Sequence, residues 1–152
     1  GRVKFAVECI RAMASVFGAG RVGLRMNPGN RFNDTKDADP AGSHIMLLEA
    51  IADLNIGYLH MMRAPIESID AFKIGREKFT GTLIINDGFD ANLANQAIEQ
   101  KQAYAVSFAR HYVSNPDFVK RIIADLPLTK FDRKTLYTPG ASGYSDYPNA
   151  EM

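Results

Sequence analysis

Arg21-Val22-Gly23-Leu24-Arg25-Met26-Asn27-Pro28-Gly29, followed by a polar stretch, then Asp39-Pro40 and the apolar positions Leu47, Leu48, Ile51 and Leu54, is the segment on which the architecture turns. Its first part reads as a short strand closed by an Asn-Pro-Gly turn signal. Asp39 then offers an N-cap and Pro40 a first-turn proline, and the four apolar positions mark one face of a helix that ends by Gly57. The unit is therefore strand, loop, helix.

Working outward, the same unit recurs. Tyr58-Leu59-His60-Met61-Met62 reads as a strand and residues 66–79 as its helix. Thr82-Leu83-Ile84-Ile85 leads through Asn86-Asp87-Gly88 to a helix capped by Asp90. A fourth strand over 103–108 passes through Ala109-Arg110 to Ser114-Asn115-Pro116-Asp117, a cap-plus-proline start, with Phe118, Val119, Ile122, Ile123 and Leu126 as the helix face. Upstream, Val3, Val7, Ile10, Ala14 and Phe17 recur at spacings of four and three, one helix face ended by Gly18 and Gly20. Strands alternating with helices over short loops predict an α/β fold with a parallel sheet, either open and doubly wound or part of a (β/α)8 barrel. A barrel needs eight strands and typically ~250 residues, so four units, 1–126, in a chain of 152 residues amount to half of one. Residues 127–152, with Pro127, Pro139 and Pro148 and no helical period, form a C-terminal irregular tail that must pack on the barrel to be ordered. A half barrel leaves two strand edges unpaired and one face uncovered, which invites aggregation or pairing with another half.

Composition narrows the function classes. The chain is 46% hydrophobic and 23% charged, the range of an ordinary globular domain. Eighteen basic against seventeen acidic residues give a net charge of +1, so no electrostatic footprint points to nucleic acid or to an anionic membrane. No run approaches the ~20 apolar residues of a membrane span, and no signal-type segment opens the chain, so a cytoplasmic location is expected. The start at Gly1, running directly into a helix pattern, suggests a chain that begins inside a longer protein. Cys9 is the single cysteine and is expected as a buried, inert thiol.

Four features fall at the carboxyl ends of the strands, where such barrels carry their chemistry: Arg25 with Asn27-Pro28, His60, Asn86-Asp87-Gly88, and Ala109-Arg110. The loops after the last two strands suit an anion, through exposed backbone N–H groups at Gly88 and the planar donor fork of Arg110. Arg110 could equally be a surface or ion-pair arginine. Arg25 closes a strand of small or apolar residues, where it needs a neighbouring carboxylate or an anionic ligand to offset desolvation. His60 reads as a hydrogen-bonded core or loop histidine, and His44 and His111 carry no stronger signal. Asp34, Asp37 and Asp39 match no established cation loop, so no metal is assigned.

Arg21-Val22-Gly23-Leu24-Arg25-Met26-Asn27-Pro28, Tyr58-Leu59-His60, Phe108-Ala109-Arg110, Ser114-Asn115-Pro116-Asp117, and Tyr137 with Gly143-Tyr144-Ser145-Asp146-Tyr147-Pro148 together resemble the old yellow enzyme family of NADH:flavin oxidoreductases, in this order and across essentially the whole chain. The resemblance implies the second half, strands five to eight, of a TIM barrel, with the missing N-terminal half of the barrel or a second half-barrel copy as its partner. It implies FMN as cofactor, NAD(P)H as reductant, and hydride delivery to the β-carbon of an activated alkene such as an α,β-unsaturated carbonyl. It matches Arg25 to the arginine beside the flavin ring, Asp87, Gly88, Ala109 and Arg110 to the phosphate cradle, and Tyr137 to a tyrosine on the substrate side. The family's carbonyl-binding His-His or His-Asn pair and its usual proton-donating tyrosine belong to the first half of the barrel and have no counterpart here, so no catalytic residue is assigned in this half, and the fragment alone is expected to be inactive.

Asp87 and Ala109 depart from the usual family pattern, which reads Gly-Gly or Ala-Gly after the seventh strand and Phe-Gly-Arg after the eighth, and Asn27 replaces the more usual serine. A carboxylate ~4 Å from a phosphate would oppose it by about 4 kcal/mol per unit charge at an effective dielectric near 20. That departure motivates an alternative reading, a degenerate non-catalytic half-barrel scaffold that has lost FMN and acts through protein contacts.

Overall fold

The computed structural model describes residues 1–150. The chain divides into two units, Gly1–Ser107 and Phe108–Met152. In the first, β1 (Gly23–Met26), β2 (Tyr58–Met62), β3 (Thr82–Asn86) and β4 (Ala105–Ser107) form one parallel sheet in the order β1-β2-β3-β4. The helices are α1 (Lys4–Phe17), α2 (Pro40–Ala50), α3 (Ala71–Lys78) and α4 (Ala91–Glu99). The expected strand-helix alternation and parallel sheet are thus present.

Period two along the strands divides the sheet into two unlike faces. Leu24, Met26, Leu59, Met61, Leu83, Ile85 and Val106 share one face, and the cluster they form with Leu48, Ala71, Phe72 and Ala97 is the main core. Leu59, Met61 and Ile85 are completely buried. Gly75 of α3 allows the closest approach of helix to sheet, since a Cβ there would stand 3.1 Å from Leu83 Cδ1. A second cluster of Ile10, Val22, Ile51 and Ile56 ties α1 and the end of α2 to the strand entrances. The opposite face carries Gly23, Arg25, Tyr58, His60, Met62, Thr82, Ile84, Asn86, Ala105 and Ser107, and none of these is fully buried.

The caps follow the sequence. Asp39 accepts from Gly42 N at 2.9 Å and Asp90 from Leu93 N at 2.8 Å, each satisfying a first-turn N–H that the helix itself leaves unpaired. Helix α3 begins five residues later than the apolar spacing of 66–79 indicates, because Asp70 takes the N-cap and bonds Lys73 N at 2.9 Å. Ile66 and Ile69 upstream of it form a turn instead, Ile69 N bonding Ile66 O at 3.0 Å. Cys9 corrects an expectation: its thiol is exposed. The buried stripe of α1 runs through Ile10, with Val7 and Ala14 packed beside it, and one residue of offset turns a helical side chain by about 100° out of such a stripe.

The second unit contains α5 (Arg110–Ser114) and α6 (Phe118–Ile123), followed by irregular chain. Asn115, completely buried, ties the end of α5 to Thr129 in the chain that follows α6. Its Oδ1 accepts from Thr129 N at 2.8 Å, while Nδ2 donates to His111 O at 2.9 Å, Thr129 O at 3.0 Å and Ser114 Oγ at 3.1 Å. Asp117 stands at the N-cap of α6 but makes no capping bond. Its carboxylate instead takes Arg121 Nε at 2.7 Å and Ala150 N at 2.8 Å, and the Arg121 guanidinium also donates to Pro127 O and Pro148 O. The carboxyl of Asp117 is held below the usual carboxylate range, chiefly by Arg121 and then by the Ala150 N–H. The 143–148 segment is folded by Gly143 N donating to Asp146 Oδ1 at 2.7 Å and Asp132 N to Tyr147 Oη at 3.0 Å.

Candidate functional site

Parallel pairing brings the carboxyl ends of β1 to β4 side by side, and the polar face of the sheet ends there in a connected set of side chains. Arg25 pairs in register with His60, and two residues further along the same face Met62 pairs with Asn86 and Asn86 with Ser107, so two adjacent rows bring these side chains together. Arg25 Nη1 lies 2.9 Å from His60 Nδ1 and 2.7 Å from Nε2, and Nη2 donates to Asn86 Oδ1 at 3.2 Å. His60 Nε2 is 2.8 Å from Ser107 Oγ, and Asn86 Nδ2 donates to Ser107 O at 2.8 Å.

The protonation of this set follows from its chemistry. Burial, and then the charge of Arg25, push the His60 imidazolium below its ordinary titration range, so the ring is neutral near pH 7. A guanidinium only donates, so the ring nitrogen meeting Arg25 carries no proton. Nη1 lies within reach of both ring nitrogens and Ser107 Oγ within reach of Nε2, and because a hydroxyl both donates and accepts, either neutral tautomer can serve the three side chains. The result is an exposed arginine braced by neutral partners, His60, Asn86 and the Met62 sulfur, none of which cancels its charge.

The turn after β3 is built for close approach of its backbone. Asp87 and Gly88 are consecutive residues with positive φ, 79° and 76°. Glycine adopts that region freely, whereas an L-residue with a side chain is held there against a strain of roughly 1 kcal/mol or more. A cavity of about 600 Å³ opens beside the turn, lined by Asn30, Arg31, Met62, Arg63 and Asp87 among others.

The remaining expected site residues lie in the second unit. Ala109 immediately precedes α5 and Arg110 is its first residue, with the guanidinium carbon of Arg110 5.8 Å from the Phe131 ring centre. Tyr137 is 88% exposed. His111 stacks on Phe118 with ring centres 5.5 Å apart, and His44 Nδ1 bonds Pro40 O at 2.6 Å. Among the described residues no group of three or more His, Cys, Asp or Glu side chains could hold a metal ion, and no helix is long and apolar enough to cross a membrane. Sequence reasoning singled out Arg25 and read His60 as a hydrogen-bonded histidine, as it is here, but missed Ser107. The available signal was parity, because residues 25, 60, 86 and 107 occupy the same face at the last turns of successive strands.

The chain matches the profile of the NADH:flavin oxidoreductase / NADH oxidase family over residues 1–129. It is 37% identical over 151 residues to a probable flavin mononucleotide-dependent alkene reductase of Leishmania infantum, a match covering 97% of this chain and 41% of that protein. It is 32% identical over 158 residues to 12-oxophytodienoate reductase 2 of Arabidopsis thaliana, covering 99% of this chain and 42% of the relative. Among solved structures, the old yellow enzyme from Trypanosoma cruzi superposes with a TM-score of 0.88 at 30% identity, over 97% of this chain and 40% of that one. Morphinone reductase in complex with tetrahydroNAD superposes with a TM-score of 0.85 at 30% identity, over 98% of this chain and 41% of that one. The chain thus spans about two fifths of the length of the relatives it matches, 41% and 42% for the first two. With its parallel sheet, its arginine at the strand ends and this breadth of sequence similarity, the chain belongs to the NADH:flavin oxidoreductase / NADH oxidase family.

Proposed function

We propose that this chain is the carboxyl-terminal part of an FMN-dependent ene-reductase, contributing the fifth to eighth strands of its barrel and most of the residues that hold the flavin. The sheet ends at β1 and β4, and one of its faces is polar and only partly covered. Four further βα units would pair both edges and fill that face. In this reading residues 1–126 are the four barrel units and 127–152 the tail packed on them, the last two positions lying outside the described residues.

Arg25 carries the proposal. It stands exposed at the carboxyl end of β1, an edge of the described sheet, and its described partners are all uncharged, so its positive charge is open to an electron-rich ligand. It fits the pyrimidine end of a flavin, where it would stabilise the negative charge that gathers on reduction. Asp87 and Gly88 would offer backbone N–H groups, and Ala109 and Arg110 a backbone and a guanidinium, to the phosphate. Tyr137 would line the substrate side. Bound FMN would supply hydride chemistry, from NAD(P)H to the β-carbon of an activated alkene such as an α,β-unsaturated carbonyl. The donors to the substrate carbonyl are assigned to the part of the barrel outside this chain, not to His44, His60 or His111, and the chain by itself would not turn over.

The experiment is an absorption titration of the protein with FMN, repeated for Arg110→Ala. Saturable binding that the substitution weakens by about tenfold or more, the worth of a charge-assisted phosphate contact, supports the reading. Absence of binding at high FMN replaces it with a scaffold that has lost its cofactor.

A further inference from the structure

The β3 exit turn is gripped from one side by Arg63, the first residue after β2, through two successive carbonyls. Arg63 N donates to Asn86 O at 2.9 Å and Arg63 Nε donates to Asp87 O at 3.1 Å. A peptide unit is planar and trans, so its N–H points opposite to its C=O. Drawing the carbonyls of residues 86 and 87 toward Arg63 therefore turns the N–H groups of Asp87 and Gly88 away from it, both in the same general direction. Two successive N–H groups with a shared heading are the elementary form of an anion-binding concavity.

The side chain that makes the second of these bonds lies against two aromatic rings. The guanidinium carbon of Arg63 lies 4.8 Å from the centre of the Phe72 ring and 5.1 Å from that of Phe89, and the two rings stack with centres 5.8 Å apart. Phe72 comes from α3 and Phe89 follows the turn, so the exposed arginine lies over a ring pair that joins the helix to the segment after the turn. It also packs directly on the turn, because a Cβ on Gly88 would stand 3.1 Å from Arg63 Nε. The positive φ of Asp87, unfavourable for a residue with a side chain, is maintained with this grip on its carbonyl.

We infer that Arg63 is a positioning residue for anion binding at the Asp87–Gly88 turn, presenting the two backbone N–H groups to the phosphate of the cofactor. The inference rests on the flavin reading above. Its test compares FMN with riboflavin, which lacks the phosphate, by calorimetric titration of the protein and of Arg63→Met and Arg63→Lys. The expected result is that the Met variant binds FMN roughly tenfold more weakly, about the worth of one net hydrogen bond, while riboflavin affinity changes less than about threefold. Arg63→Lys keeps a cation but lacks the planar fork, and it is expected to lose FMN preference to a similar extent while retaining the wild-type melting temperature. Equal weakening for both ligands, or an unchanged FMN preference in both variants, overturns the role of Arg63 and leaves the flavin reading standing. A wild-type protein that does not prefer FMN to riboflavin overturns the phosphate assignment itself.

Discussion

Asn115 is the position where a single amide is expected to decide whether the second unit stays folded. Its side chain is completely buried and its Oδ1 accepts from Thr129 N, while Nδ2 serves His111 O, Thr129 O and Ser114 Oγ. Thr129 O also accepts from Ser114 Oγ at 2.7 Å, so it keeps a partner when the amide is removed. Thr129 N and His111 O lose this one. At ~1–3 kcal/mol for each buried polar group left unpaired, Asn115→Ala is expected to cost about 3 kcal/mol, or roughly 10 °C in melting temperature for a chain of this size. Asn115→Asp has the same shape and separates hydrogen bonding from packing. Its carboxylate still accepts from Thr129 N, but it places an oxygen against three acceptors, so the charged form is disfavoured in the folded state. The folded pKa is then raised above the unfolded value of ~3.9, the native state binds more protons, and stability rises as pH falls from 7 toward 4. Thermal denaturation of wild type and both variants between pH 4 and 7 measures this. A shift below about 2 °C for the Ala variant at neutral pH, or an Asp variant that does not gain on the wild type on acidification, would refute the accounting.

Two further outcomes are expected in the first unit. His60 is held neutral by burial and by Arg25, so its folded pKa lies below the unfolded value near ~6.5; its contribution is full above that value and is lost as pH falls through the folded one. Urea midpoints between pH 7.5 and 5 should therefore fall less steeply in His60→Gln than in the wild type, and equal slopes would dismiss the neutral ring. Asp87→Gly should tighten FMN by about tenfold or more, by removing a carboxylate near the phosphate. Unchanged FMN affinity would separate Asp87 from the phosphate.

The βα repeat was legible because its causes are local. Period two at Leu59 and Met61 and at Leu83 and Ile85, and carboxylates at Asp39 and Asp90, act within a few residues of themselves. Strand and helix ends were less legible. Asp70 captures the first turn of α3 against an apolar spacing that continues upstream to Ile66, a competition between capping and burial that composition does not resolve. Cys9 was misread for a related reason, since membership of a helix does not state which face a residue occupies.

The sequence by itself determined the alternation of elements, the parallel sheet and the arginine at the end of β1, because hydrophobic period, capping and turn chemistry are short-range. Only the tertiary structure decided what surrounds that arginine. Arg25, His60, Asn86 and Ser107 are up to 82 residues apart in the chain, and strand register places them within hydrogen-bond reach. The neutrality of His60 and the grip of Arg63 on the Asp87–Gly88 turn arise from desolvation and from pairing between separate strands, and neither exists until the sheet has formed.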